Sequence, residues 1–178
     1  MKFLLINGSP HVNGATRRAL DRIAAGFATL GDEVSIYSIG SDARKTCLAC
    51  GGCKSGAGCV IGDIGSLADE VKAADGIIIG TPTHYAAPSG TLISVLTRLV
   101  RSSRAEIHGK PIATVAVGRR GGVCGAAEAL HRYFEFCGCP IVCASYPLGI
   151  LGSNDSEGEG YLDELCRNMH TVAKRLKR

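Results

Sequence analysis

Four cysteines fall within thirteen residues of this chain, Cys47, Cys50, Cys53 and Cys59, in the pattern C-x2-C-x2-C-x5-C. Thiols at that density call for a common ligand. Two successive x2 spacings bring three sulfurs to one side of a compact centre, and the glycine-rich stretch from Lys54 to Gly58 lets Cys59 close the fourth position. A single 4Fe–4S cluster held by all four suits the set. Tetrahedral zinc is the chemical rival, although zinc usually takes two C-x2-C knuckles well apart. Redox-active or merely buried thiols are the third reading. The other five cysteines are scattered. Cys124 lies in a glycine loop and reads as a free buried thiol, while Cys137, Cys139, Cys143 and Cys166 fall on or beside apolar segments and read as packing residues.

A second constellation is the segment G-S-P-H-V-N-G-A-T, Gly8 to Thr16, which lies between an apolar run and a helical pattern. Small and hydroxylated residues at a helix start let backbone N–H groups converge on an anion, and the helix dipole adds to the attraction. No lysine follows the glycine, which excludes a nucleotide-triphosphate loop, and the three-glycine dinucleotide fingerprint is absent. A terminal phosphomonoester such as that of FMN fits; an ordinary capped turn is the plainer alternative. Two further segments, T-P-T-H-Y-A-A-P-S-G (Thr81 to Gly90) and G-R-R-G-G-V-C-G (Gly118 to Gly125), offer prolines, an aromatic ring, glycine amides and two arginines to a planar ring. No acid/base dyad, Ser/His/Asp arrangement or hydrolytic metal motif competes with them.

The elements that must position these segments alternate. Phe3 to Ile6, Ile77 to Ile79, Ile112 to Val117 and Ile141 to Ala144 are apolar almost throughout, as parallel strands covered on both faces should be. Val34 to Ile39 alternates, which suits an edge strand. Leu20, Ile23, Phe27 and Leu30 form one helical stripe, and Leu162, Leu165, Met169, Val172 and Leu176 another. Weaker helical patterns cover Ser66 to Ala74, Ser89 to Val100 and Ala126 to Phe136. Strict alternation of five strands and five helices predicts a doubly wound α/β sheet in the order 2-1-3-4-5, as one domain over 1–178 with a cysteine loop at about 44–62. Ligands of such a sheet bind outside the carboxyl ends of the strands, which is the rim where all four loops fall. A cluster in the loop after strand 2 is therefore expected on that rim too.

The three rim segments, at these spacings, resemble the NAD(P)H-dependent FMN reductase group of the flavodoxin-like superfamily over nearly the whole chain. The cysteine spacing within such a chain is similar to that of the iron–sulfur flavoprotein family, which couples a 4Fe–4S cluster to FMN. The resemblance implies a three-layer sandwich in which Ser9, His11, Asn13, Gly14, Ala15 and Thr16 hold the FMN phosphate. Pro82, Thr83, His84, Tyr85, Gly118, Arg119, Gly121 and Gly122 then flank the isoalloxazine, and Cys47, Cys50, Cys53 and Cys59 are the metal ligands. His11 departs from the arginine that members often carry and offers the phosphate less charge. The chain has no tryptophan to sandwich the ring as many flavodoxins do.

The function implied is electron transfer between cluster and FMN, with NAD(P)H or a redox partner such as ferredoxin as donor, or a small-molecule acceptor. The alternative is an NAD(P)H-dependent FMN or quinone reductase whose cysteine loop binds zinc or is structural. A third reading is a non-catalytic module that senses redox state. The helix from Ser89 to Val100 is expected, by resemblance, to build a homodimer or homotetramer. Nine cysteines in 178 residues, an odd number below the density of a disulfide scaffold, favour a reducing cytoplasm. The net charge of +4 is mild and mixed, so neither nucleic acid nor a membrane is an expected partner, and the basic tail reads as a solvated helix end.

Overall fold

The computed structural model describes residues 1–145, 149–151 and 156–177. Five strands, β1 (Lys2–Asn7), β2 (Glu33–Ser38), β3 (Gly76–Pro82), β4 (Ile112–Gly118) and β5 (Gly149–Leu151), form one sheet in the order β2-β1-β3-β4-β5, with every pairing parallel. The helices are α1 (Ala15–Thr29), α2 (Gly65–Ala73), α3 (Gly90–Ser102), α4 (Arg104–Ile107), α5 (Val123–Glu135) and α6 (Ser156–Leu176).

Period-2 side-chain alternation sends each strand's residues to two cores. Leu4, Ile6, Ile77, Ile79 and Ile112 face α2, α3 and α5 through Leu67, Leu96 and Phe134, all essentially inaccessible. Phe3, Leu5, Ile78, Ala113 and Val115 face α1 and α6 through Leu20, Ile23, Leu165 and Met169. Phe3 and Phe27 stack with centroids 4.0 Å apart. Both helical stripes end where their helices meet solvent, at exposed Leu30 and Leu176. The edge strand β2 packs Val34 and Ile36 on one face and Tyr37 on the other. Among the described residues no helix is long and apolar enough to cross a membrane.

The fifth strand differs from the sequence expectation. Ile141 to Ala144 make only an isolated bridge, Ile141 to Ile112, in which the Ile112 N–H donates to Pro140 O and the Val142 N–H to Ile112 O. The strand proper lies at Gly149–Leu151, against Ala116 to Gly118. Two short stretches thus share the length of β4, and an apolar run reveals only the first. The pattern also misses α4 and a 3-10 turn, Gly52–Ser55, both too short to show a helical period.

Candidate functional site

Asn7, Ser38 and Gly80 stand in register at the carboxyl end of the sheet, so the loops after β1, β2 and β3 leave from one rim. The Gly8 N–H donates to Gly80 O (2.8 Å) and Ser89 Oγ donates to Gly8 O (2.6 Å), tying the first loop to β3 and α3. A Cβ on Gly8 would stand 2.6 Å from Leu92 Cδ2 and 2.8 Å from Gly80 O, which is why the position takes glycine. Beyond it the Ser9 N–H donates to Asn7 Oδ1 and the His11 N–H to Ser9 Oγ, both at 3.1 Å. Ser9 and Thr16 are buried in the cradle wall, whereas His11 and Asn13 are exposed. Helix α1 then follows the N-cap Gly14 with no side-chain cap and no acidic residue in its first turn. Its leading N–H groups are therefore left for an external anion.

The β3 loop sits beside this cradle. The Thr83 N–H donates to Val117 O (2.8 Å), and His84 and Ala87 exchange backbone hydrogen bonds across a two-residue tip. Tyr85 (φ 52°) and Ala86 (φ 60°) form that tip in the left-handed region, a strained geometry that primed hairpin turns demand. The Tyr85 ring is fully exposed. Thr83 Oγ1 is buried without a hydrogen-bond partner. After β4, Gly118 leads to exposed Arg119 and Arg120, which make no ion pair among the described residues, and Gly121 and Gly122 carry the chain into α5. An uncapped helix start, an orphaned hydroxyl and unpaired arginines on one rim fit a ligand with a phosphate, a polar planar ring and negative charge, as FMN has.

The cysteine loop leaves β2 and is pinned to α3. Asp63 accepts two hydrogen bonds from Arg98, from Nη1 and from Nη2 (3.0 Å), and Arg44 Nη1 stands 3.6 Å from the same carboxylate. The Arg98 hydrogen bonds hold the Asp63 carboxyl below its ordinary range, against partial burial. Arg98 is 1% exposed, and Asp63 together with Cys59 keeps its guanidinium firmly charged. Gly51 and Gly56, at φ 77° and 80°, bracket the 3-10 turn that carries Cys53. Cys47, Cys50, Cys53 and Cys59 line one cavity with Arg98 and Arg101. The cavity holds about 20 Å³, and the sulfurs are not gathered as a metal-binding set among the described residues. As a donor set, four free thiols around one cavity fit a thiolate-ligated centre.

A sequence profile of the NADPH-dependent FMN reductase family matches residues 1–151. The chain belongs to that family. An iron–sulfur flavoprotein of Archaeoglobus fulgidus is 28% identical over 189 aligned residues, covering 99% of this chain and 94% of its own. NADPH azoreductase of a Bacillus species is 34% identical over 185 residues, covering 99% and 91%. Among solved structures, a flavodoxin from the domain Archaea superposes with a TM-score of 0.67, 18% identity and full coverage of both chains. The fold is flavodoxin-like, and this FMN reductase-family member is a flavin-dependent oxidoreductase using FMN.

In this family member the loops after β1, β3 and β4 meet on one rim, as their order in the sequence implies. The cysteine cavity does not lie on the rim. Its wall is Arg98, Arg101 and Ser102, which follow Leu92, the residue against Gly8, by six to ten positions. At 1.5 Å per residue that is about 9–15 Å down α3. The loop is long, and the Arg98–Asp63 pair draws it along the helix. Cys124 and Cys143 are exposed rather than buried, while Cys137, Cys139 and Cys166 do pack in the interior. Burial pushes the thiols of Cys139 and Cys166 up to about 11 and about 12. No sequence motif marks Arg44, Asp63 and Arg98. Their signal is one arginine inside an apolar helical stripe, Leu92, Val95, Leu96 and Leu99, where a charge must be paired.

Proposed function

We propose that the protein is an iron–sulfur flavoprotein that exchanges electrons between FMN and a 4Fe–4S cluster held by Cys47, Cys50, Cys53 and Cys59. The observation that carries the reading is the placement of all four thiols on one cavity in a chain whose flavin loops share one rim. The relatives named iron–sulfur flavoproteins support it. FMN accepts a hydride or an electron pair and releases electrons singly, which lets it serve two-electron and one-electron partners. The chain's own part is positional. The α1 start with Ser9, Asn13, Gly14, Ala15 and Thr16 holds the phosphate, with exposed His11 beside it. Thr83 Oγ1 gives a buried hydroxyl to the ring's polar edge, with Pro82, His84, Tyr85 and Gly118 around it. The amides of Gly121 and Gly122 and the charge of Arg119 face the negative charge of a reduced ring.

NAD(P)H or a ferredoxin-like protein is the proposed donor, the protein works in the cytoplasm, and it assembles as a homodimer or homotetramer through α3. Cys59→Ser tests the division of labour. FMN binding should persist in that variant while the iron-dependent absorbance is lost, and retained iron absorbance, or loss of FMN along with the iron, would contradict the assignment. The second reading, an NAD(P)H-dependent reductase with a zinc-binding or structural cysteine loop, draws on the likeness to NADPH azoreductase, and sulfurs that are not gathered favour its structural form. Zinc in place of iron in anaerobically prepared protein would select it.

A further inference from the structure

The cavity lined by the four cysteines has a wall with two cations and no anion. Arg98 and Arg101 face it from α3, and Asp63 lies outside the lining residues. Arg98 is the largest fully buried side chain in the molecule's described part. A guanidinium withdrawn from water to that extent is strongly penalised unless paired and fully hydrogen-bonded. Here Nη1 and Nη2 go to Asp63 and Nε donates to Ser94 O (3.4 Å). Arg44 shares the same carboxylate, so the group carries two positive charges over one negative. Arg98, at 1% exposed, is the member of this group that water screens least, while Asp63 and Arg44 stand partly in solvent at 29% and 21%. A helix stripe that needed only packing would take leucine at position 98, as it does at 92, 96 and 99.

We propose that Arg98, oriented by Asp63, is a positioning residue that sets the electron affinity of the group held by Cys47, Cys50, Cys53 and Cys59. The inference rests on the thiolate-centre reading above. A thiolate-ligated centre is anionic and gains one further negative charge when it takes up an electron, with no bond made or broken. A fixed cation beside it stabilises the reduced form more than the oxidised form, and the neighbouring carboxylate does the opposite. Because Arg98 and Asp63 hold each other, removing either loosens the same contact between loop and helix. The two removals change the local charge in opposite senses. A purely structural role moves both variants the same way, and an electrostatic role moves them apart.

The test is a dithionite redox titration of anaerobically purified protein, followed by the visible spectrum of the iron centre, with FMN binding and thermal unfolding as fold controls. Arg98→Met should favour the oxidised form at least tenfold, which for one electron is about 59 mV more negative. Arg98→Lys keeps the charge and should recover most of that shift, and Asp63→Asn should move the potential in the positive direction. Arg101→Gln, at an exposed position on the same wall, should shift as Arg98→Met does but less, and supplies the reading if Arg98→Met does not fold. Equal potentials throughout, or shifts of one sign in Arg98→Met and Asp63→Asn, overturn the proposal. Wild-type protein without iron refutes the cluster reading separately. The Arg98 claim is then read by titrating the metal-free chain with Co²⁺ and following thiolate absorbance. Arg98→Met should bind at least tenfold more weakly and Asp63→Asn more tightly, and shifts of one sign again overturn it.

Discussion

Replacing Gly8 with alanine probes the cradle at the point where three elements meet. The added Cβ would lie 2.6 Å from Leu92 Cδ2, 3.1 Å from Leu92 Cβ and 2.8 Å from Gly80 O. The Leu92 methyl belongs to a side chain that is itself fully buried, and Gly80 O is backbone that already accepts the Gly8 N–H at 2.8 Å. Neither retreats without displacing α3 or β3. Overpacking of this kind costs about 1–3 kcal/mol. For a chain of this size each kcal/mol lowers Tm by about 2–4 °C, so the expected loss is about 2–12 °C, within the ~5–15 kcal/mol that keeps a domain folded. The same shift moves the Gly8 to Thr16 loop, proposed above to hold the FMN phosphate, and about 1.4 kcal/mol of lost binding energy raises the FMN Kd tenfold. Quenching of FMN fluorescence reads the Kd, and calorimetry reads Tm. Gly90→Ala is the control, since a Cβ there meets nothing within 4 Å. A Gly8→Ala protein with unchanged Tm and unchanged Kd would refute the close-approach argument.

Other outcomes follow from the charges and thiols. The Asp63 carboxyl is lowered by its hydrogen bonds to Arg98 and the charges of Arg98 and Arg44, so its stabilisation is present above the unfolded value near 3.9 and is lost as pH falls through the lower folded value. Urea unfolding should therefore separate wild type from Asp63→Asn at pH 7, with the gap closing below about pH 4. Burial lowers His131, whose Nε2 lies 2.7 Å from Thr114 Oγ1. Stability should be full above about pH 6.5 and decline as pH drops from there to the lower folded value, and His131→Gln should flatten that slope. Lys110 Nζ donates to Val71 O and Ala74 O at 2.6 Å, closing the end of α2. Lys110→Met should cost about 1–2 kcal/mol, measured by the urea midpoint. Iodoacetamide on the native protein should modify Cys124 quickly and leave Cys139 and Cys166 unmodified by peptide mass analysis, because the last two are buried with raised thiol pKa values.

The sheet was legible because each of β1, β3 and β4 is buried on both faces and so reads as an almost unbroken apolar run, and the alternation of Phe3 to Ile6 and Ile77 to Ile79 with helical stripes marks them as strands. The three rim segments were legible as rim loops for a related reason, since each follows an apolar strand and is rich in glycine, proline or hydroxyl residues that end it. What the sequence concealed depends on contacts between distant positions. Nothing local says that Arg98 will meet Asp63, 35 residues away, or that the pair draws the cysteine loop down α3 and off the rim. The end of the sheet was hidden likewise. Pro140 O and Val142 N bond to Ile112, yet the strand beside Ala116 to Gly118 begins only at Gly149, and no period spans that interruption. Cys124 and Cys143 show a limit of composition, because the cysteine side chain is at home in either setting and only packing decides which.

The central claim is most directly tested by measuring iron, acid-labile sulfide and flavin per chain in protein purified without oxygen. Four iron, four sulfide and one FMN, with the iron and sulfide lost and the FMN kept in Cys59→Ser, is the result the account predicts. One FMN with no iron, or with a single zinc that resists exchange, would contradict it.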